Sequence, residues 1–261
     1  MSLNGLFDLT GRTAAIIGGG SGIGEAVATG AARHGADVVV LDANAGAASR
    51  VAGAIGGRAT SASLDIRDGP AVHEALDAVA RDRGRLDIVV CTPGINVRTP
   101  ILKYDADDFD RVVNLNLKGS FNVLQAAGRT MTAQGSGSIV LFASIRALVV
   151  EPGQSVYAAT KAGIVQLVRT AAVEFGKFGV RVNAVGPGVV ETPLTEQIKA
   201  DKDWYAAYAN KSALGRWARA EEMVGPTLFL ASDAASFVTG TVLFADGGWT
   251  AADGRFTPPG M

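Results

Sequence analysis

The sequence predicts an α/β fold, a single doubly wound domain in which a seven-stranded parallel sheet carries helices on both faces. Short β-branched runs alternate with longer alanine-rich stretches along the chain. Several of the short runs are almost continuously apolar, which is typical of strands buried on both faces. A glycine-rich turn follows the first run, and such a turn between a strand and a helix is typical of nucleotide-binding α/β domains.

The order of the predicted elements supports a parallel sheet. Strands are predicted at residues 13–18, 36–42, 58–65, 86–91, 137–143, 180–186 and 241–246. Helices are predicted between them at residues 23–34, 69–83, 107–133, 156–175 and 221–231. Repetition of strand, helix and strand implies right-handed crossovers. Because no repeat or low-complexity tract interrupts this alternation, residues 1–261 are predicted to form one dinucleotide-binding domain.

Composition excludes several classes of function. The 261 residues carry a net charge of -1, so there is no basic surplus to bind nucleic acid or an anionic membrane. No apolar segment reaches the roughly 18 to 20 residues of a membrane span. The single cysteine, Cys91, fits a reducing compartment such as the cytoplasm. The two histidines, His34 and His73, do not cluster with other ligand types, so no metal site is predicted.

The glycine-rich turn lies at the first strand-to-helix junction. Gly18, Gly22 and Gly24 form a GxxxGxG pattern. Residues without Cβ let the backbone approach a pyrophosphate, and the N-terminus of the following helix offers unpaired N–H groups to the anion. The pattern therefore predicts a Rossmann-type dinucleotide site; a merely flexible turn is the alternative.

Two aspartates follow predicted strands and bear on the choice of cofactor. Asp42 ends the second strand, where a carboxylate accepts hydrogen bonds from adenosine ribose hydroxyls and repels a 2′-phosphate. No Arg or Lys lies at residues 17–24 or 43–46 to bind such a phosphate. NAD(H) is therefore predicted over NADP(H), with a turn-capping aspartate as the alternative. Asp65 ends the third strand and is expected near the adenine, with the same alternative.

A candidate catalytic group lies in the middle of the chain. Tyr157 and Lys161 are one helical turn apart, so their side chains share a helix face. A phenol works as an acid/base near neutral pH only where its phenolate is favoured, and a nearby ammonium does this. Ser144 follows a strand, at the sheet edge where ligands bind. Asn116 lies in a predicted helix, where its amide is expected to interrupt local bonding and hold a water near Lys161.

These motifs, in this order, resemble those of the short-chain dehydrogenase/reductase family over roughly residues 9–249. The matching set includes "NAVGPGVVET" at 183–192 and "ADGGW" at 245–249. The resemblance implies that Tyr157 is the acid/base and that Ser144 orients the substrate oxygen. It also implies that Lys161 lowers the pKa of Tyr157 and binds the nicotinamide ribose, and that Asn116 supports a proton-relay water. A homotetramer is a further implication of the resemblance.

The resemblance extends the predicted cofactor site to the nicotinamide end, where the family places residues 187–192. The predicted set is Gly18, Ser21, Gly22, Ile23, Gly24, Asp42, Asp65, Ile66, Gly94, Tyr157, Lys161, Pro187, Gly188, Val190 and Thr192. Two departures affect this site. A family threonine before the glycine loop is Ile17 here, and the usual Asn-Asn-Ala-Gly after the fourth strand is "CTPG" at 91–94. Hydroxyl and amide groups that brace the loops are therefore expected to be missing, and Pro93 offers no backbone donor.

Substrate recognition is predicted around two arginines. Arg98 and Arg146 follow the CTPG loop and Ser144, and a guanidinium at the mouth of a site binds a carboxylate in a bidentate manner. A surface arginine is the alternative for each. Within the family, residues 94–100, 201–204 and 214–222 resemble gluconate 5-dehydrogenases and other sugar-acid or polyol dehydrogenases. Residues 193–219 are accordingly expected to form a substrate lid with Trp204 against a sugar, followed by a C-terminal tail at 250–261.

The sequence thus predicts an NAD(H)-dependent oxidoreductase that transfers hydride between nicotinamide and a secondary alcohol or ketone. The substrate is expected to be a polyol, sugar or sugar acid. A 3-oxoacyl-thioester reductase is the alternative within the family, although the usual NADP(H) preference of that class conflicts with Asp42. A non-catalytic NAD-binding protein is the alternative of another class, but such a protein needs no combination of Ser144, Tyr157 and Lys161.

Overall fold

The computed structural model describes residues 5–252 and 254. Most of the predicted tail, residues 253 and 255–261, lies outside this range. Within the described part of the chain, no helix is both long enough and apolar enough to span a bilayer.

The predicted seven-stranded parallel sheet is confirmed. The strands of the protein are β1 (Thr13–Ile17), β2 (Asp37–Asp42), β3 (Ala59–Ser63), β4 (Ile88–Cys91), β5 (Gly137–Phe142), β6 (Val180–Pro187), β7 (Val190–Glu191), β8 (Ala218–Arg219) and β9 (Val242–Ala245). The large sheet has the order β3-β2-β1-β4-β5-β6-β9, and all its neighbouring strands are parallel. The short strands β7 and β8, which were not predicted, pair with each other in a second sheet.

Helices cover both faces of the large sheet. They are α1 (Gly22–Arg33), α2 (Ala45–Ile55), α3 (Gly69–Arg83), α4 (Ala106–Val113), α5 (Ser120–Gln134), α6 (Ser155–Gly176), α7 (Glu196–Lys199), α8 (Lys202–Lys211) and α9 (Val224–Ala231). Successive strand residues alternate between two cores. Ile17 and Leu141 pack on the side of α3, α5 and α6, while Ile16 and Val140 pack on the side of α1, α2 and α9. This alternation follows from the two-residue period of a strand.

One predicted helix is divided, and three helices, α2, α7 and α8, were not predicted. The segment predicted as 107–133 is interrupted by a wide π-helical turn, Asn114–Gly119, between α4 and α5. The side chain of Asn116 in this turn bonds to the backbone of a neighbouring loop, which fits the expected interruption of local bonding. Helix α2 was not predicted because its glycines obscure the helical pattern. Its N-terminus is capped by Asn44 Oδ1, which accepts from the N–H of Ala47 at 3.0 Å.

Strand order fixes the place of the site. From β1 the chain builds the sheet outward through β2 and β3, then returns to β4 on the other side of β1. The loops that leave β1 and β4 therefore diverge and open a crevice at the carboxyl ends of these strands. In open α/β sheets this switch point is where ligands bind.

Candidate active site

A cavity of about 380 Å3 opens at the switch point. Ten of the residues predicted to bind the cofactor line it, namely Gly18, Ser21, Gly22, Ile23, Gly24, Asp42, Asp65, Ile66, Gly94 and Thr192. Its wall also includes Thr92, Pro93 and Leu194, which were not predicted. Asp42 at the end of β2, Gly94 after β4 and Thr192 after β7 all line it, so residues predicted for the adenosine end and for the nicotinamide end of the cofactor border one space.

The glycine loop has the shape that a dinucleotide requires. Gly18 has a φ of 77°, a conformation that disfavours residues with a side chain. A Cβ at Gly24 would collide with the carbonyl oxygen of Gly18. The loop thus stays narrow and leads directly into the N-terminus of α1, whose free N–H groups suit a pyrophosphate. The residues present therefore fit a dinucleotide cofactor.

The two predicted aspartates both line the cavity but differ in their surroundings. Asp42 accepts hydrogen bonds from the N–H groups of Gly20 and Asn44, each at 2.9 Å, so its carboxylate is held rigidly beside the glycine loop. Asp65 is bound by the Arg67 guanidinium, with Oδ2 2.6 Å from Nη2. This hydrogen bond holds the pKa of Asp65 below its ordinary value.

A cation that the sequence reasoning overlooked also reaches the glycine loop. Helix α2 carries Arg50, whose Nη2 donates to the carbonyl oxygen of Gly20 at 3.0 Å. Both terminal nitrogens of Arg50 also bind Glu25 on α1 at 2.8 Å. Arg50 lies outside residues 17–24 and 43–46, and helix α2, which was not predicted, brings it to the loop.

Thr92 braces the glycine loop in place of the hydroxyl that Ile17 lacks. Its Oγ1 donates to the carbonyl oxygen of Ile17 at 3.0 Å and approaches that of Gly18 at 3.3 Å. Its backbone N–H also donates to Ile17 O at 3.0 Å. The expected loss of bracing in the CTPG loop is therefore offset by a residue of that same loop. Cys91, the first residue of the loop, is buried in the core, and burial raises its pKa to about 12.

The predicted catalytic residues converge at the ends of β4 and β5. Ser144 follows β5 and begins a short turn in which its Oγ accepts from the N–H of Arg146 at 3.1 Å. Tyr157 and Lys161 lie in the first two turns of α6. Lys161 Nζ is 5.6 Å from the centre of the Tyr157 ring. Four residues separated by up to 45 positions are thus assembled beside one end of the cavity.

Burial dominates the proton affinities of this group. Lys161 is 3% exposed, and its Nζ donates to the carbonyl oxygen of Phe142 at 2.8 Å. Burial lowers the pKa of Lys161 to about 8. Among the protein's own groups, burial also raises the pKa of Tyr157, while the Ser144 hydroxyl and the charges of Arg98 and Arg146 oppose that rise. The expected lowering by Lys161 is therefore not found within the chain alone.

Asn116 holds a backbone loop rather than projecting freely. Its Oδ1 accepts from the N–H of Ile95, and its Nδ2 donates to Ile95 O, both at 2.9 Å. Nδ2 also lies 3.3 Å from Thr160 Oγ1. Because the amide is engaged in this way, its clearest structural effect is to fix the segment after β4 next to Lys161.

The nicotinamide end of the predicted set is only partly on the cavity wall. Thr192 lines the cavity, whereas Pro187 and Val190 are buried in β6 and β7. Gly188 lines a separate cavity of about 180 Å3 behind the lid segment. Within residues 5–252 and 254, no cluster of three or more His, Cys, Asp and Glu side chains is placed to hold a metal ion.

The three predicted substrate residues lie in two different settings. Arg98 is half-buried, and its guanidinium carbon lies 5.5 Å from the centre of the Trp204 ring. Its Nε is buried and has no hydrogen-bond partner among the described residues. Arg146 is 8% exposed, forms an ion pair with Glu151 and lies 5.5 Å from the centre of the Trp249 ring. One guanidinium is therefore already neutralised and the other is not.

The predicted lid packs as a small aromatic core over this region. Tyr208 and Trp204 on α8 cluster with Trp217, Trp249 and Ile145. The hydroxyl of Tyr208 donates to both carboxylate oxygens of Glu151, at 2.6 and 2.5 Å. The sequence analysis did not single out Glu151. The one feature that could have indicated a role for it is that it is the only charged residue in the apolar stretch 147–152.

Comparison with known proteins identifies the family. A family described as "Enoyl-(Acyl carrier protein) reductase" matches residues 18–250. Gluconate 5-dehydrogenase of Gluconobacter oxydans is 36% identical over 96% of this chain and 99% of its own length. The chain belongs to the short-chain dehydrogenase/reductase family. A 3-oxoacyl-(acyl-carrier-protein) reductase of Thermotoga maritima is 37% identical over 92% of this chain, and a D-threitol dehydrogenase of Mycolicibacterium smegmatis is 37% identical over 94%.

Solved structures of short-chain dehydrogenases/reductases share this fold. One from Mycobacterium marinum is 36% identical over 96% of this chain and 100% of its own, with a TM-score of 0.92. A gluconate 5-dehydrogenase from Burkholderia cenocepacia, in complex with NADP and tartrate, is 35% identical over 95% and 98%, with a TM-score of 0.91. The present chain is accordingly an oxidoreductase of CH–OH groups that uses a nicotinamide dinucleotide.

Replacing Thr92 tests the brace under the glycine loop of this short-chain dehydrogenase/reductase. A Thr92→Val substitution removes the hydroxyl but keeps the shape, so we expect NADH to bind roughly three- to tenfold more weakly, the range that one hydrogen bond supplies. Thr92→Ser should restore the affinity. Fluorescence titration with NADH measures both. Thr132→Val removes a similar hydroxyl-to-carbonyl bond within α5 and serves as the control. Equal affinities of Thr92→Val and the wild type would contradict the proposed brace.

Proposed function

We propose that this enzyme oxidises a secondary alcohol of a polyhydroxylated carboxylate, with NAD+ as the preferred acceptor. The observation that carries the substrate class is Arg98. Its guanidinium lies on Trp204, its Nε lacks a partner among the described residues, and its charge acts on Tyr157. A half-buried cation of this kind supports recognition of an anion that lies close to the acid/base.

The aromatic face beside Arg98 supports a sugar-like body for that anion. The ring of Trp204 on α8 lies beside Arg98 in the segment after β4, and a flat aromatic ring suits the apolar face of a polyol chain. Relatives in the same family include a gluconate 5-dehydrogenase and a D-threitol dehydrogenase. A sugar acid combines the two features, a carboxylate for Arg98 and a carbon chain for the lid.

The proposed mechanism assigns a role to each residue of the catalytic group. Ser144 orients the substrate hydroxyl, and Tyr157 accepts its proton as the carbinol carbon loses hydride. A bound, oxidised nicotinamide would supply the hydride acceptor and, before the transfer, a positive charge. Below a pH of about 8 Lys161 carries an ammonium. Because the chain alone does not lower the pKa of Tyr157, we assign that lowering to this ammonium acting together with the charge of a bound, oxidised nicotinamide. Asn116 holds the loop that borders Lys161, and the relay water that the family implies remains part of this proposal.

The NAD(H) preference rests on Asp42. Its carboxylate lines the cavity beside the glycine loop and is fixed by two backbone N–H groups. The nearest cation found there, Arg50, is engaged by Glu25. A 2′-phosphate would therefore meet a fixed negative charge before an available positive one. A related gluconate 5-dehydrogenase was nevertheless solved with NADP, which makes direct comparison of the two cofactors essential.

Two other functions compete with this proposal. A 3-oxoacyl-thioester reductase is supported by a relative of that activity, but a thioester brings no carboxylate for Arg98. A non-catalytic nucleotide-binding protein would not need Ser144, Tyr157 and Lys161 in one cluster. A panel of sugar acids, polyols, hydroxy acids and acyl thioesters, followed by NADH absorbance, separates the three.

We further infer a homotetramer in the cytoplasm. The groove between α5 and α6, of about 600 Å3, is lined by Phe121, Phe175 and Phe178. Val173 on α6 is 82% exposed, and such apolar surface favours association with a second copy. The single cysteine fits a reducing compartment.

Replacing the proposed acid/base gives the central test. We expect Tyr157→Phe to lower kcat for the best substrate of the panel by roughly 10²- to 10⁴-fold, the usual contribution of general acid–base catalysis. NADH affinity should stay within about twofold, because Tyr157 is not among the residues that line the cavity. Tyr104→Phe is the control, because it removes the hydroxyl of a tyrosine that also does not line the cavity and that has no proposed role in catalysis. Unimpaired turnover by Tyr157→Phe would refute the mechanism.

Cofactor preference is tested at Asp42. We expect the wild type to bind NADH at least about tenfold more tightly than NADPH. The Asp42 carboxylate would repel the 2′-phosphate of NADPH, and a repulsion between two such charges near a protein surface commonly weakens binding by this factor. Asp42→Ala should weaken NADH and tighten NADPH. Asp37→Ala, at the other end of the same strand, should change neither. Comparable affinities of the wild type for both cofactors would overturn the preference.

Substrate charge is tested at Arg98. Arg98→Leu should raise KM for sugar acids by roughly 10- to 100-fold, the effect of losing a hydrogen bond between charged groups. KM for neutral polyols should change by less than about threefold. Arg81→Leu, an exposed arginine on α3, is the control. A parallel rise for acids and neutral polyols would show that Arg98 supports the site without binding a carboxylate.

A further inference from the structure

We propose that Glu151 is a positioning residue that couples the lid, residues 193–219, to the loop that carries Ser144. The proposal rests on the proposed function, because the loop matters only if Ser144 and Tyr157 act on substrate. Glu151 is not expected to touch the substrate. It acts through the residues it holds on either side.

Three donors from two parts of the chain converge on this one carboxylate. Arg146 forms an ion pair with it, and Gln154 Nε2 donates to Oε2 at 2.6 Å. The third donor is the hydroxyl of Tyr208, from the lid helix α8, at 2.5 and 2.6 Å. Hydrogen bonds to an ionised acceptor are short and roughly twice as strong as neutral ones. The carboxylate therefore forms a strong link between lid and loop.

The aromatic side chains around the link restrict its geometry. The Tyr208 ring lies 5.5 Å from Trp249 and 5.8 Å from Trp217, centre to centre. The guanidinium carbon of Arg146 lies 5.5 Å from the centre of the same Trp249 ring. Tyr208 is itself 9% exposed. Since both donors pack against one indole ring, a shift of the lid helix is transmitted to Arg146 by packing as well as through Glu151.

Two of the residues that bind Glu151, Arg146 and Gln154, lie directly next to the catalytic group. The N–H of Arg146 is the donor to Ser144 Oγ. Gln154 directly precedes α6, whose first turn carries Tyr157. The other end of the Gln154 amide accepts from Asn96 Nδ2 at 2.8 Å, two residues before Arg98. A movement of Glu151 would therefore shift the surroundings of Tyr157, Ser144 and the segment that carries Arg98.

A second tyrosine of the same helix provides an internal comparison. Tyr205 also donates to a carboxylate, Glu191 at 2.9 Å, but Glu191 belongs to β7 and not to the Ser144 loop. Loss of either tyrosine hydroxyl should loosen α8. Only loss of the Tyr208 hydroxyl should also loosen residues 145–154. This difference separates coupling from a general stabilisation of the lid.

The test compares Tyr208→Phe with Tyr205→Phe in the full-length enzyme. We expect Tyr208→Phe to speed amide hydrogen exchange by about tenfold or more in both α8 and residues 145–154, given the strength of a bond to a charged group. Tyr205→Phe should do so in α8 alone. KM for the best substrate should rise about tenfold in Tyr208→Phe, with kcat reduced less and NADH affinity unchanged.

A double-mutant cycle with Glu151→Ala identifies the contact responsible. If Tyr208 acts through Glu151, adding Tyr208→Phe to Glu151→Ala should raise KM no further. Multiplicative effects on KM would overturn the proposal, as would unchanged exchange of residues 145–154 in Tyr208→Phe. Should Glu151→Ala fail to fold, the tyrosine comparison still decides. A wild type that oxidises no compound of the panel would refute the proposed function, whereas the exchange comparison would still test the coupling.

Discussion

The site depends on one hydrogen bond, from Lys161 Nζ to the carbonyl oxygen of Phe142 at 2.8 Å. A buried ammonium is costly unless it has an acceptor, so this contact fixes α6 against the last residue of β5. Ser144 lies two residues beyond Phe142, and Tyr157 lies one turn before Lys161. The bond that satisfies the lysine therefore also sets the relative position of the serine and the tyrosine. Burial without a carboxylate partner is what lowers the pKa of Lys161 to about 8.

The sequence was sufficient to predict the sheet because local patterns determine it. The seven predicted runs became the seven strands, and their alternation with helices predicted that they would be parallel. The glycine loop and Asp42 then had to meet at the switch point. Where patterns were weak, prediction failed: α2 contains too many glycines, and the π-helical turn depends on Asn116 bonding to Ile95, a residue 21 positions away.

Contacts between distant segments could not be predicted from the sequence. Thr92 replaces the missing hydroxyl at Ile17 only because β1 and β4 pair in a register that sets Ile17 beside Cys91. Arg50 reaches Gly20 only because α2 exists. Glu151 is an ordinary surface-loop carboxylate in the sequence, and its role depends on Tyr208, 57 positions away. In each case the residue type was visible but its partner was set by tertiary packing.

Burial distinguishes the two arginines that the sequence treated alike. Arg146 is almost fully buried, and a buried charge without a partner is strongly destabilising, so its pairing with Glu151 stabilises the folded protein. Arg98 is half-buried against Trp204, where solvent and the ring lessen the cost of leaving it unpaired. Of the two guanidiniums that act on Tyr157, only that of Arg98 is left without a carboxylate among the described residues. A substrate with one carboxylate would balance that charge at Arg98, while Arg146 would stay committed to holding the loop. In the proposed function the same type of side chain thus serves architecture at Arg146 and recognition at Arg98, and the carboxylate of Glu151 determines which.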